Sequence, residues 1–569
     1  MTGMRIDWQV SIPADDGAVL RADVYRPDTA GTFPAIVSYG PYAKGLAFQE
    51  GYQPQWDKMV AEHPDVTAGS SGRYQCWEVA DPERWVPYGY ACVRVDSRGA
   101  GASPGFLDVW SGREAADLAG CVEWAAAQPW CSGKVGLSGI SYYAMNQWQV
   151  AALHPPHLAA MIPWEGAADF YRDVTHHGGI PCDFVASWYQ RQVTTVQYGV
   201  GTRSAVNHST GEHVAGDVDL DDEQLGRNRL DLGEQVRDRG LDGPWYRERS
   251  ADWRHVTVPF LSAANWGGQG LHPRGNFEAF IQAASGRKWL EVHGREHWTH
   301  YYTGYGTDLQ RRFFDHFLRG IDNGWERTAP VMLNIRHPGE RFERRDEREW
   351  PLARTRWTRL YLDAGAMTLR PAAPEASASV SYAALDDEAD FSLTTTEPVE
   401  LTGPLAARVF LSSSTDDADL FAVLRVFDPA GEEVTFQGAL DPNTPVAQGS
   451  LRASHRRLDD ARSLPYRPYH PHDGEEFLVP GEVVPLDVEI WPTCIVVPAG
   501  YRVVLTLRGT DYEYPGELSP FAEKFYYAGR GVGPFTHTAG RGPGRYGGTV
   551  TIHTGAEHPS SLLLPVIPS

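Results

Sequence analysis

Near the start of the chain Ile6, Trp8, Val10 and Ile12 alternate with polar residues. Asp15-Asp16-Gly17 marks a turn, and the alternation resumes at Leu20, Ala22 and Val24, which predicts an antiparallel hairpin. The next apolar runs have another character. Ala35-Ile36-Val37 and Ala91 to Val95 are nearly continuous, as strands covered on both faces should be. Leu118, Cys121, Val122 and Ala125 fall at helical spacing and predict a helix over 113–128, closed by Pro129 to Gly133. Val135 to Leu137 reads as a strand, the segment through Gln147 to Ala152 as a helix, and Leu158 to Pro163 as the next strand. Strand character returns at Val258 to Leu261 and at Lys288 to Val292. A helix carrying Leu309, Phe313, Phe314, Phe317 and Leu318 on one face then ends at Gly320. Strands alternating with helices in this way specify a parallel α/β sheet.

Two stretches depart from this grammar. Residues 169–253 are polar and lack sheet-like runs, which predicts an inserted, mostly helical cap. Beyond Trp350 helical periodicity disappears: Leu405, Ala407, Val409 and Leu411 alternate, as do Leu486, Val488 and Ile490, then Tyr501, Val503, Leu505 and Leu507. Gly and Pro punctuate these runs, as in an all-β sandwich. The expected division is an α/β catalytic domain over 1–168 and 254–345, a cap over 169–253 and a β-sandwich over 346–569.

At 569 residues the chain is long enough for three or four domains, and 42% hydrophobic residues suffice for large cores. Its formal net charge of −22 is spread along the chain, which argues against a nucleic-acid partner, since phosphate neutralisation needs a basic face. No apolar run reaches the length of a membrane span and the first residues do not read as a signal peptide, so a cytoplasmic protein without a membrane partner is expected. The six cysteines are scattered and form no C-x-x-C pair, so neither a disulfide framework nor a zinc knuckle is indicated. Whether the chain forms a homo-oligomer is left open.

The most informative segment is Gly133-Lys134-Val135-Gly136-Leu137-Ser138-Gly139-Ile140-Ser141-Tyr142-Tyr143-Ala144. A serine between a buried strand and a helix sits on a tight elbow with its oxygen at the carboxyl edge of the sheet. Strict G-x-S-x-G fails in both registers, at Ser138 and at Ser141, and a serine capping the following helix is the plainer alternative. Further motifs stand in order along the chain. They are Tyr39-Gly40-Pro41-Tyr42 with Lys44, Asp96-Ser97-Arg98-Gly99, Trp130 to Gly136 followed by Gly139-Ile140-Ser141-Tyr142, Phe313 to Leu318, Gly403-Pro404 and the closing Leu562 to Pro568. Together they resemble the X-Pro dipeptidyl-peptidase and cocaine esterase-like serine hydrolases over nearly the whole chain. The resemblance implies an α/β-hydrolase domain with a C-terminal jelly roll and no cofactor. It places the nucleophile on Ser141 and the oxyanion donors on the Tyr42 hydroxyl and the Tyr142 N–H.

The resemblance also implies a base in the turn after the last sheet strand, which fits His297, with His293 too close to the strand and His300 in reserve. At the acid the sequence departs from the family: Asn265-Trp266-Gly267-Gly268 puts Gly268 where an aspartate is expected. A triad needs a group to orient the imidazole, and Glu165, directly after the strand that follows the nucleophile helix, is the candidate, with Asp169 second. A dyad without an acid is the alternative. His293-Gly294-Arg295-Glu296-His297 also fits the H-x-x-E-H zinc pattern, but that pattern requires a helix, and here the first histidine ends a β-rich run; no metal is expected. Trp164, Trp188 and Trp266 are candidates for an apolar pocket. His176-His177 reads as a solvated pair in the cap.

The expected function is a serine hydrolase acting on a small-molecule ester or amide through an acyl-enzyme, with a carboxylesterase of small to medium hydrophobic substrates foremost. An X-Pro dipeptidyl-peptidase or amino-acid ester hydrolase is the alternative within the class. A degenerate hydrolase that binds carbohydrate or another ligand is the alternative outside it.

Overall fold

The computed structural model describes residues 3–525 and 527–568. Its first layer is a ten-stranded sheet of β1 (Met4–Pro13), β2 (Val19–Pro27), β3 (Phe33–Gly40), β4 (Ala91–Asp96), β5 (Cys131–Ile140), β6 (Leu158–Trp164), β7 (Phe260–Asn265), β8 (Lys288–His293), β9 (Val331–His337) and β10 (Arg341–Glu347), in the order β1-β2-β4-β3-β5-β6-β7-β8-β9-β10. From β4 to β9 every pairing is parallel, while the β1-β2 hairpin and β10 add antiparallel edges. The buried apolar runs therefore become the inner strands and the alternating run becomes the edge, as burial on two faces or one requires.

Helices α1 (Gly112–Ala126), α2 (Tyr142–Ala151), α3 (Pro273–Gln282) and α4 (Gly304–Arg319) cover the sheet. The Ser111 side chain caps α1 by accepting from the Glu114 N–H, and α4 ends at Gly320 in the left-handed region, φ 68°. Two excursions leave the sheet at its carboxyl edge. One, between β3 and β4, carries short helices over Phe48–Gly51, Gln53–Glu62 and Pro82–Trp85. The other, between β6 and β7, contains short helices at Phe184–Trp188, Asp222–Arg227, Leu232–Asp238 and Pro244–Glu248 and a two-residue hairpin pairing His176–His177 with Ile180–Pro181. His176 and His177 are both buried, contrary to the solvated pair expected of them, because this hairpin packs into the C-terminal domain.

That C-terminal domain is all-β, with eleven strands between Arg356 and Ile567 that pair antiparallel at every contact except Thr368 with Ser392. It is fused to the catalytic layer by a shared apolar cluster in which Trp266, Phe277, Val331 and Leu333 meet Trp350 and Cys494. Arg336 of β9 crosses the same junction fully buried. It donates to the Cys494 carbonyl at 2.8 Å, the Val446 carbonyl at 3.1 Å and Thr493 Oγ1 at 2.7 Å, with its guanidinium over the Phe436 ring. Removing these donors strands buried acceptors, each worth about 1–3 kcal/mol. Arg336→Leu is therefore expected to lower unfolding free energy by about 3 kcal/mol or more, read as a fall in the urea midpoint at unchanged slope.

Candidate active site

β5 ends at Ile140 and α2 begins at Tyr142, which leaves Ser141 alone at the bend with φ 57° and ψ −112°. A non-glycine residue held there is strained and is maintained only by its surroundings. The Ile140 N–H donates to the Glu78 carbonyl at 2.9 Å, and the Ser141 N–H to the Trp164 carbonyl at 3.0 Å. Gly139 must lack a side chain, because a Cβ would lie 2.3 Å from Tyr143 Cβ and 3.1 Å from the Glu78 carbonyl oxygen. Ser138 is the buried serine of the other register, its hydroxyl 2.9 Å from Tyr301 Oη of the short helix Thr299–Tyr302.

Ser141 Oγ lies 3.1 Å from His272 Nε2. This corrects the expectation that His297 would make the contact; among the described residues no hydrogen bond joins His297 to Ser141. His297 has neither nitrogen to spare. Nδ1 lies 2.8 Å from Glu165 Oε2 and Nε2 lies 2.9 Å from Glu78 Oε1, so both donate and the ring is an imidazolium with no lone pair for a hydroxyl. His272 stacks on it, ring centroids 4.7 Å apart and planes 8° apart. Burial, reinforced by the charge of His297, holds the His272 imidazole well below its ordinary range and hence neutral, with Nε2 free to accept.

Glu165 does face His297, as the sequence suggested, and it does more. Fully buried, it also accepts from His293 Nε2 at 3.0 Å and from Asn265 Nδ2 at 3.3 Å. Asn265, at the end of β7, thus supports Glu165 from the strand where the family's aspartate was expected, while Gly268 forms a turn, its N–H on the Asn265 carbonyl. Burial favours the neutral carboxyl, but the positive charge of His297 and the hydrogen bonds from both histidines overcome it and hold Glu165 at about 2. Burial likewise opposes charging the rings; the carboxylates prevail and raise His297 to about 10 and His293 to about 9. Glu291, 2.7 Å from His293 Nδ1, completes a row of three carboxylates against two imidazolium rings. Burial pushes Glu78 up despite His297. The H-x-x-E-H segment has no helix between its histidines: His293 ends β8 and both rings serve Glu165.

Trp188 Nε1 donates to Tyr42 Oη at 3.0 Å, which leaves the tyrosine's own hydrogen to point elsewhere. Burial keeps that phenol protonated, far above its usual range. Tyr142, as the first residue of α2, has an N–H with no carbonyl of its own helix to bond. Ser141, Tyr42, His272, His297 and Glu78 line one cavity of about 370 Å³ whose apolar walls include Trp188, Leu440 and Phe535. Trp164 and Trp266 do not line it. Trp164 lies beneath the site against His293 and Tyr301, and Trp266 packs on Phe277 and Trp350 with its Nε1 donating to the Asn334 carbonyl. Asp169 caps the segment Phe170–Thr175 and pairs with Arg172 at 3.0 Å, away from the histidines. His300 packs on His293 and Tyr305.

Sequence reasoning missed His272 and Glu78. His272 immediately precedes Pro273, the first residue of α3, at the carboxyl edge of the sheet, but His63-Pro64 opens a helix as well, so the His-Pro pair did not single it out. Glu78 lies in the excursion between β3 and β4 and had no signal either.

Residues 16–302 match the family model of the X-Pro dipeptidyl-peptidase (S15 family), and residues 323–563 match that of the X-Pro dipeptidyl-peptidase C-terminal non-catalytic domain. The chain belongs to the S15 family. It is a serine hydrolase, and its relatives cover it end to end. A CocE/NonD family hydrolase from Staphylococcus aureus is 32% identical in sequence, superposes with a TM-score of 0.85 and is matched over 99% of this chain and 94% of its own. The cocaine esterase of a Rhodococcus species is 24% identical over 98% of both chains. An α-amino acid ester hydrolase, 16% identical with a TM-score of 0.67 over 99% of this chain and 96% of its own, shares the fold. No helix among the described residues is long and apolar enough to cross a membrane.

The charge cluster makes a linkage prediction. Glu165 is depressed from 4.5 to about 2, so its contribution to stability is present above pH 4.5 and lost as pH falls toward 2. His293 and His297 are raised from 6.5, so theirs is complete below pH 6.5 and lost as pH rises through about 9 and about 10. Urea midpoints measured from pH 3 to 10.5 should show both declines, and Glu165→Gln should remove the acid one and only reduce the alkaline one, to which Glu291 and Glu78 also contribute.

Proposed function

We propose that the protein is a carboxylesterase for small to medium hydrophobic acyl esters. Ser141 Oγ attacks the ester carbonyl while its proton passes to His272 Nε2, and the Tyr42 hydroxyl and the Tyr142 N–H receive the developing oxyanion. Collapse expels the alcohol, which takes the proton back from His272; water then repeats the sequence and frees the acid. The observation that carries this reading is the contact of Ser141 with a neutral histidine inside a cavity of about 370 Å³ with apolar walls. The orienting carboxylate acts here through space. Glu165, His272 and His297 each have an atom within 4.8 Å of the others, and the Glu165 charge acts against burial and the His297 charge to favour the proton that His272 acquires.

A second reading rests on Glu78, a carboxylate that lines the cavity beside Ser141. It suits a substrate with a free α-amino group, as the name of the α-amino acid ester hydrolase implies for that protein. A higher kcat/KM for alanine p-nitrophenyl ester than for p-nitrophenyl butyrate, lost in Glu78→Gln, would select it. The compartment we propose is the cytoplasm, because all six cysteines are free and buried thiols, as a reducing compartment maintains.

Ser141→Ala should abolish p-nitrophenyl butyrate hydrolysis and covalent labelling by a fluorophosphonate. His272→Gln should lower kcat by about 10³-fold or more with the fold intact. Equal activity of His272→Gln and wild type would return the base to another residue. Because His272 is depressed below 6.5, the acid limb of kcat/KM should have its midpoint below pH 6.5; a midpoint at or above that value contradicts a neutral His272 as base.

A further inference from the structure

A second cluster of chemically capable side chains lies outside the Ser141 cavity, where the cap meets the all-β domain. The hairpin of His176–His177 and Ile180–Pro181 turns through Gly178 and Gly179, φ 59° and 85°. Its turn is pressed against the all-β domain: a Cβ on Gly178 would fall 1.9 Å from the Ser450 carbonyl oxygen. This docking delivers His177, and Cys182 just beyond the hairpin, to a position facing His537 of the other domain. All three are buried. His177 Nδ1 lies 2.8 Å from His537 Nε2, and Cys182 Sγ lies within 4.8 Å of a ring nitrogen of each histidine.

The far sides of the two rings fix where their hydrogens are. His177 Nε2 lies 3.1 Å from the Asp173 carbonyl oxygen, which only accepts, so that nitrogen carries the hydrogen. His537 Nδ1 lies 2.6 Å from Asp511 Oδ1, while the His537 backbone N–H donates to Asp511 Oδ2 at 2.7 Å. With both outward nitrogens donating, two ring lone pairs converge beside a sulfur, and an electrophile is needed between them. We propose that His177, Cys182 and His537 form a binding site for a thiophilic divalent cation of the zinc class.

The donor set suits such an ion, which takes imidazole nitrogen and thiolate sulfur in a tetrahedron. Bonds of about 2.0–2.1 Å to two nitrogens at a tetrahedral angle place them about 3.3 Å apart, so the rings need part by only about half an ångström. Outward hydrogen bonds to a carbonyl and a carboxylate are the supports that orient metal-bound histidines. On binding, the Cys182 thiol gives up its proton to solvent. Both histidines also line a cavity of about 730 Å³ together with Asp511 and Trp491. The ion would join the cap to the all-β domain. Phe535, near His537 in the chain, lines both this cavity and the one that contains Ser141.

Full-length protein made without a histidine tag and stripped with a chelator would be titrated with Co²⁺ alone. Saturation at one ion per chain with a near-ultraviolet thiolate-to-cobalt charge-transfer band, bleached by one equivalent of Zn²⁺, is expected. Cys182→Ser should lose that band, and Asp511→Asn should weaken Co²⁺ binding about 10–100-fold. The Glu165, His272 and His297 cluster has no sulfur and cannot produce the band. Absence of a saturable band in the wild-type protein overturns the proposal whatever the variants do, and means that a proton alone bridges the two rings; a band unchanged in Cys182→Ser overturns it equally.

Discussion

Glu165 is an ionised carboxylate with no access to water, and such a charge persists only where donors and opposite charges replace its hydration. The rest of the site is arranged around that requirement. Its donors come from the ends of three neighbouring parts of the sheet: Asn265 from β7, His293 from β8 and His297 from the turn that follows. The Glu165 N–H in turn bonds the Ala263 carbonyl at 2.7 Å, and the Glu165 carbonyl lies 3.2 Å from the Ser141 N–H. One buried charge therefore ties the nucleophile elbow to the far half of the parallel sheet.

The same requirement explains why the histidine nearest the expected position in sequence is not the one beside the nucleophile. Clamped between Glu165 and Glu78, His297 is held as an imidazolium, and a ring that donates from both nitrogens has no lone pair for a serine hydroxyl. His272 takes that place because it is buried next to a positive ring, which keeps it neutral. Orientation and charge compensation, which one carboxylate provides in a conventional triad, are divided here between a stacked ring and a field of carboxylates.

The all-β domain contributes directly to this arrangement. The Ala439 carbonyl accepts from the His297 N–H at 3.2 Å, the Ala439 N–H donates to the Gly267 carbonyl at 2.9 Å, and Leu440 and Phe535 wall the catalytic cavity. Arg336 and the apolar cluster around Trp350 hold the two domains in the register that these contacts need. The C-terminal domain is therefore part of the active-site wall.

Much of this was legible in the chain itself. Continuous apolar runs marked the inner strands, alternation marked the hairpin and the sandwich, and small residues around Ser141 marked the elbow, because each depends on local spacing and on which faces are buried. Glu165 was legible as well, since the carboxyl edge of a parallel sheet lies directly after each strand. Folding decided what depends on distance between remote segments. Glu78 and His272 are separated by almost two hundred residues and line one cavity only because the excursion after β3 and the loop after β7 come together over one edge of the sheet. Trp164 and Trp266 had the composition of a pocket but became core, and His177 left the surface expected of it for a domain junction. The protonation states of the histidines were decided last, by which carboxylates folding brought to them. Residue type gives a ring its ordinary range, but only the tertiary structure sets the burial and the neighbouring charges that move it.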